Sequence, residues 1–219
     1  MKRNTMLVAA AALSMLAGVA GAAVVGVDLT TVAPPTTLGT FPMMPFTQPP
    51  QAAIPNGTST ATVPGGPNGI TLGLSPNATK QTIGSGWATW SHGYTGAVYT
   101  YLPTALSTIT LPPATKAFYL YAEPNTFQVF TVTVTPNIGS PVTVNVNGSA
   151  GANGVGFYTN AGETLKTVTV TTSDASGYAI GEFGFYADLS IPTLDPAMLI
   201  ALAVVLLGAG MWMYRRNHS

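Results

Sequence analysis

The chain has 219 residues, of which only 6% are charged, against about 25% in ordinary soluble proteins. Seven cations balance seven anions, and between residues 24 and 190 only Lys80, Lys116 and Lys166 stand against six acids. This excludes the basic surface that a phosphate backbone demands, so nucleic acid is not an expected partner. Cysteine is absent, which excludes a disulfide framework, thiolate zinc ligands and a cysteine nucleophile.

The N-terminus carries Lys2 and Arg3, then an uncharged stretch from Met6 to Val19, then Ala20, Gly21 and Ala22. A short positive region, an apolar core and a small-residue exit describe a secretory signal peptide over 1–22, cleaved after Ala22. Residues 23–68 are rich in Pro, Thr and Gly, with Pro34-Pro35 and Pro49-Pro50 opposing both helix and central strand. They read as an arm or linker, in which the apolar run Phe41 to Phe46 is suited to pack as an edge segment.

From 69 to 190 the pattern is one of short alternating runs between turn signals. Val142, Val144 and Val146 alternate with Thr143, Asn145 and Asn147, and Gly148 follows as a turn residue. Thr167 to Thr171 alternates in the same way, with further runs at 70–74, 97–102, 107–111, 117–122, 126–135, 155–159 and 178–187. Prolines 103, 112, 113, 124, 136 and 141 fall between these runs, where strand chemistry tolerates them. Several strands at this spacing, with no helical period, predict an all-β domain: an antiparallel β-sandwich or jelly roll.

The C-terminal segment 191–219 differs from everything before it. Residues 197–214 contain neither a charge nor a proline. As a helix they would extend about 27 Å, close to the thickness of a bilayer core. Trp212 and Tyr214 suit the interface, and Arg215 and Arg216 suit the cytoplasmic side as a stop-transfer signal. Just before the span stand Ile191, Pro192, Thr193 and Leu194, then Asp195 and Pro196. The two prolines keep this stretch extended, because a residue preceding proline resists α geometry.

This order of signature, span and terminal Arg pair resembles the IPTL-CTERM sorting tail. The resemblance implies an exosortase-type membrane transpeptidase as partner, which cuts near the signature and passes the protein on to the envelope. The tail departs from the pattern after the signature, where Asp195-Pro196-Ala197 stands in place of the Ser-Glu-Trp of many such tails. The middle region is similar to the outer domains of proteins with IPTL or PEP-type tails, in the stretches from Trp87 to Tyr94, Ala117 to Asn125, Gly154 to Tyr158 and Gly181 to Gly184. That likeness implies a β-sandwich on the cell surface and carries no activity with it.

Candidate chemistry is sparse. His92 is the lone histidine outside the terminal stub, and no G-x-S-x-G elbow accompanies any serine. No cofactor motif and no metal-binding loop is present, although Asp174 and Glu182 remain open as donors to a structural Ca²⁺. Glu123 and Glu182 are acids within aromatic runs, where a solvated charge is unexpected. They read either as paired carboxylates for glycoside hydrolysis or, for Glu123, as an acceptor of turn N–H groups. Trp87, Trp90 and Tyr94 form the candidate ligand platform. In a regular strand Trp87 and Trp90 would face opposite sides, so that one ring packs inward and the other is free to stack on a sugar.

The sequence therefore predicts an exported, membrane-anchored precursor with a non-catalytic structural or adhesive β domain outside the cytoplasmic membrane. A carbohydrate-binding module on the Trp/Tyr platform, with surface polysaccharide as partner, is the alternative. A hydrolase is the third reading.

Overall fold

Apolar and β-branched residues at alternate positions make strands of most of this chain, because each such run can bury one face and solvate the other. The structure, a computed structural model, describes residues 24–47, 54–160 and 162–189. The leader 1–22, the sorting motif 191–194, the span 197–214 and the Arg pair at 215–216 lie outside the described residues.

In chain order the strands are β1 (Val24–Thr30), β2 (Thr37–Leu38), β3 (Phe41–Pro42), β4 (Met44–Pro45), β5 (Ser59–Val63), β6 (Leu72–Ile83) and β7 (Gly86–Trp87). They continue with β8 (Ala97–Tyr101), β9 (Leu106–Pro124), β10 (Val129–Pro136), β11 (Val142–Asn147), β12 (Asn153–Thr159), β13 (Leu165–Thr172) and β14 (Tyr178–Ala187). Among the described residues the helical content is one 3₁₀ turn, Pro67–Gly69, and no helix is long and apolar enough to cross a membrane.

The strands form an antiparallel β-sandwich. One layer runs β11, β10, β13 and the first half of β9, with the start of β6 beyond it. The other runs β1, β12, the second half of β9, β14 and β8, with the end of β6 beyond it. Strand β9 belongs to both. Through Thr110 it pairs with β13, and from Ala117 it pairs with β12 and β14. Between Thr110 and Thr115 the ladder with β13 skips, Ala114 takes φ 58°, and Thr115 Oγ1 donates to the Pro112 carbonyl at 2.7 Å.

Pro112 and Pro113, expected between strands, thus lie within the span of β9, but at its corner. A residue without an N–H is tolerated there because no ladder partner calls for one. Pro124 and Pro136 likewise occupy the last positions of β9 and β10.

The core between the layers follows from this register. Phe118 and Leu120 of β9, Val155 and Phe157 of β12, and Ile180, Phe183 and Phe185 of β14 face Val132 and Val134 of β10, Val144 and Val146 of β11, and Val168 and Val170 of β13. Each such side chain contributes about 1.5–3 kcal/mol on burial.

The segment 23–68 is not a linker where it is described. Strand β1 pairs with β12 from Val24↔Thr159 onward, β4 pairs with β14, and β5 pairs with β6. Val24, Leu38, Met43, Phe46 and Val63 are buried. The reason is packing: alternate residues of β9 point away from the main core, and Ala117, Tyr119 and Tyr121 need a cover. Leu38, Met43, Val27, Leu29 and Phe41 supply it, forming a second apolar layer outside the sheet. Proline-rich composition concealed short strands that tertiary contacts stabilise.

Candidate functional site: buried carboxylates and an aromatic cleft

The outer face of the second sheet also carries the two suspect acids. Glu123 ends the outward-facing series Ala117, Tyr119, Tyr121 on β9. Glu182 reaches the same face through a bulge. Gly181 pairs with Tyr121 and Gly184 with Tyr119, so Glu182 and Phe183 together oppose Leu120. Phe183 enters the core, and Glu182, at φ 48°, turns outward. Gly184 is required next to it, since a Cβ there would lie 2.3 Å from the Tyr119 ring.

Both carboxylates are taken up by the end of β7 and the segment that follows it to β8. Trp87 Nε1–H donates to Glu123 Oε2 at 2.7 Å, and the Thr89 hydroxyl donates to Glu123 Oε1 at 2.6 Å. Trp90 Nε1–H donates to Glu182 Oε2 at 2.7 Å. His92 Nε2 lies 2.9 Å from Glu182 Oε1 and 2.8 Å from Oε2, while His92 Nδ1 donates to the Thr31 carbonyl at 3.1 Å. A carbonyl only accepts, so Nδ1 carries a proton. Tyr121 closes the cluster: its ring meets His92 edge-on at 5.2 Å, and its hydroxyl donates to the Val32 carbonyl at 2.6 Å.

Burial dominates the electrostatics. Glu123 is fully buried, and desolvation pushes its carboxyl up to about 7, with the Thr89 and Trp87 hydrogen bonds pulling the other way. Glu182 is raised for the same reason, against the hydrogen bonds and charge of His92 and the hydrogen bond from Trp90. Tyr94, Tyr119 and Tyr121 are all raised, by burial first and by the charge of Glu182 second. Left-handed backbone at Glu182 and His92 (φ 41°) costs about 1–3 kcal/mol each, and such positions persist only where the surroundings over-determine them.

The sequence-read platform is changed by this geometry. Trp87 is 8% exposed and packs with Val98 and Ala179. Trp90 is half-buried, with its ring centroid 6.0 Å from that of Tyr94, whose hydroxyl donates to the Ala97 carbonyl at 2.9 Å. The expected alternation of Trp87 and Trp90 fails because β7 ends at Trp87 and no strand runs through 88–96. Both indoles turn to buried acceptors instead. Glu123, one of whose readings was an acceptor of turn N–H groups, accepts side-chain donors. Asp174 is the acid that serves a turn, taking N–H groups from Thr126 and Ser176 at 2.8 Å each. Among the described residues no group of three or more His, Asp or Glu side chains could hold a metal.

A feature the sequence reading missed lies at the other end of this face. Across the sheet, Tyr158 of β12, Ala117 of β9 and Tyr186 of β14 occupy one row. Phe41 packs on this row, with its ring centroid 5.1 Å from that of Tyr186. Together with Lys116, Asn160 and Asp188 these rings line a cleft of about 520 Å³. A second cleft of about 220 Å³ sits beside Trp87 and Thr89, bordered by Pro124, Asn125 and Phe127.

These features define a β-sandwich domain with a cover layer pinned to its outer face. No protein-family model matches the chain, and no curated protein matches it in sequence. Among solved structures it is similar to the Clostridium thermocellum N-terminal endo-1,4-β-D-xylanase 10B, in its CBM22-1 and GH10 modules complexed with xylohexaose. The match has 11% identity over 55% of this chain and 26% of that one, at a TM-score of 0.34. The chain thus spans about a quarter of that protein's length, and a likeness at this level transfers no function.

Proposed function

We propose that this chain is an exported cell-surface or extracellular-matrix protein of the IPTL-CTERM type. Its leader 1–22 is removed, the span 197–214 holds the precursor in the membrane, and an exosortase-type transpeptidase processes the tail at 191–194. The β-sandwich is the part left outside, and its role is structural or adhesive.

One observation carries this reading. The described strands run from Val24, which is 3% exposed, to Ala187, so the described body fits between the two expected processing points. The ends of β1 and β14 also leave the sheet on the same side, since Val25 pairs with Tyr158, Tyr158 with Ala117, and Ala117 with Tyr186. The non-catalytic role is supported by the buried acids: both oxygens of Glu123 and of Glu182 are engaged by donors that hold the cover in place, the arrangement of a fastener.

Intact mass of the mature protein tests the tail. The chain is expected to end near Thr193 when the sorting enzyme is present and to extend to Ser219 when that enzyme is deleted. If both forms retain Trp212, the tail is an anchor alone. Release of the full-length precursor by alkaline carbonate would remove the membrane reading entirely.

A further inference from the structure

We infer that the cleft between Tyr158 and Tyr186 is a binding site for a neutral glycan, held by stacking on its aromatic rings and by hydrogen bonds from its rim. The inference gives the adhesive role proposed above a place and a ligand class.

The cleft arises from the register. Tyr158 and Tyr186 flank Ala117 in adjacent ladders, so their Cα atoms stand two strand spacings apart, about 10 Å. The small residue between them leaves the row open enough for Phe41 to be laid against it. All three rings are only half-buried, whereas Tyr119 and Tyr121 further along the same strand are fully covered. The cover layer thus stops short at this end of the sheet and leaves aromatic surface facing a cavity. At about 520 Å³ the cavity lies within the range of about 300–1,000 Å³ typical of small-molecule sites.

The rim decides what class of molecule fits. Lys116 Nζ donates to the carbonyls of Gly162 and Glu163, at 3.0 and 2.7 Å, which fixes the ammonium and leaves one of its three N–H groups for a ligand. Asp188 is exposed, and among the described residues its carboxylate accepts no hydrogen bond. One cation and one anion carry no net charge, yet they offer both a donor and an acceptor. That combination suits hydroxyl groups, each of which donates and accepts, and gives no advantage to an anionic ligand. Aromatic faces beside them suit the C–H faces of a sugar ring.

A peptide is a poorer fit. Strands β12 and β9 are paired on both sides along this row, Tyr158 with Val25 and Ala117 and Ala117 with Tyr158 and Tyr186, so the floor of the cleft offers no open backbone edge for strand addition. The ligand must be held by side chains.

The test uses the full chain, purified in detergent, in affinity electrophoresis through gels containing xylan, mixed-linkage β-glucan or galactomannan. Polygalacturonate serves as the acidic comparison. Retardation by at least one neutral polysaccharide is expected, with at least tenfold weaker binding in Tyr186→Ala and a clear weakening in Asp188→Asn. The latter substitution is exposed and leaves the fold untouched. Thr133→Val, on β10 of the other sheet, is expected to bind as the parent does. Absence of retardation by all three neutral polymers overturns the inference. So does retardation by polygalacturonate alone, or binding unchanged in both cleft variants. Each of these results leaves the tail reading intact, because that reading is decided by the mass of the mature chain.

Discussion

The two faces of the second sheet are built by different physics. Its inner face meets the other layer through Phe118, Leu120, Phe157, Phe183 and Phe185, with no charged group among them. Its outer face holds Tyr119, Tyr121, Glu123 and Glu182 under a cover made from residues 27–43 and 84–96. Inside, area removed from water does the stabilising, without direction and without dependence on pH. Outside, buried carboxylates bind indole, hydroxyl and imidazole donors, and these bonds are directional and titratable. The difference separates a core that sets the fold from a covering layer that is fastened at particular points.

The contrast can be broken most forcefully from the inside. Phe118→Ala removes a fully buried ring stacked on Phe183, and a loss of about 3–5 kcal/mol is expected in urea unfolding, alike at every pH. A similar loss confined to one pH range would mean that the inner face is not purely apolar in its energetics.

The next largest effect belongs to pH. A carboxyl whose folded pKa stands above its ordinary value binds its proton more tightly in the folded chain. Its stabilisation is therefore complete below about 4.5 and is lost as pH rises through about 7 for Glu123. Glu182 acts in the same direction. Stability is expected to fall across that interval by at most about 3 kcal/mol for Glu123.

Glu123→Gln sharpens the point. Its amide oxygen still accepts from Trp87, and its NH₂ donates to the Thr89 hydroxyl. That hydroxyl turns its own proton to the Gly148 carbonyl, already 3.2 Å away. The variant is expected to fold and to show a flatter thermal stability profile between pH 4.5 and 7. An unchanged slope would show that Glu123 is not the group responsible.

Glu182→Ala leaves the Trp90 N–H and His92 without their acceptor. A loss of about 2 kcal/mol is expected, with faster amide hydrogen exchange at 88–96 and no change in β10 or β13. Exchange that accelerates equally throughout the sandwich would mean that the cover and the core unfold as one unit. The smallest effect lies on the solvated face of the first sheet. Thr133→Val, opposite Thr143 and half-buried, is expected to change stability by less than about 0.5 kcal/mol.

Alternation alone located the strands that build the core. The Val-Thr periodicity of 142–147 and 167–171 and the apolar runs at 97–102, 117–122 and 178–187 fall on β11, β13, β8, the second half of β9 and β14, because a strand with one buried face must repeat every two residues. Strands β1 and β5 escaped notice, since their short runs sit in proline-rich surroundings; β1 gains its stability from β12, far along the chain, and β5 from β6. The unity of β9 was equally hidden, because Pro112 and Pro113 break a ladder locally whether or not the strand resumes beyond them.

The site divides the same way. Two acids within aromatic runs were a legible sign that something unusual is buried. Their partners were not legible, because the bulge at Glu182 and the irregular path of 88–96 decide which side chains meet. The row of Tyr158, Ala117 and Tyr186 depends on the register of three strands drawn from separate parts of the chain. Composition and periodicity therefore determined that this is an all-β sandwich with little charge. Only the pairing of distant strands decided which aromatics are covered and which line a cleft, because side-chain direction in a strand is local while adjacency across a sheet is not.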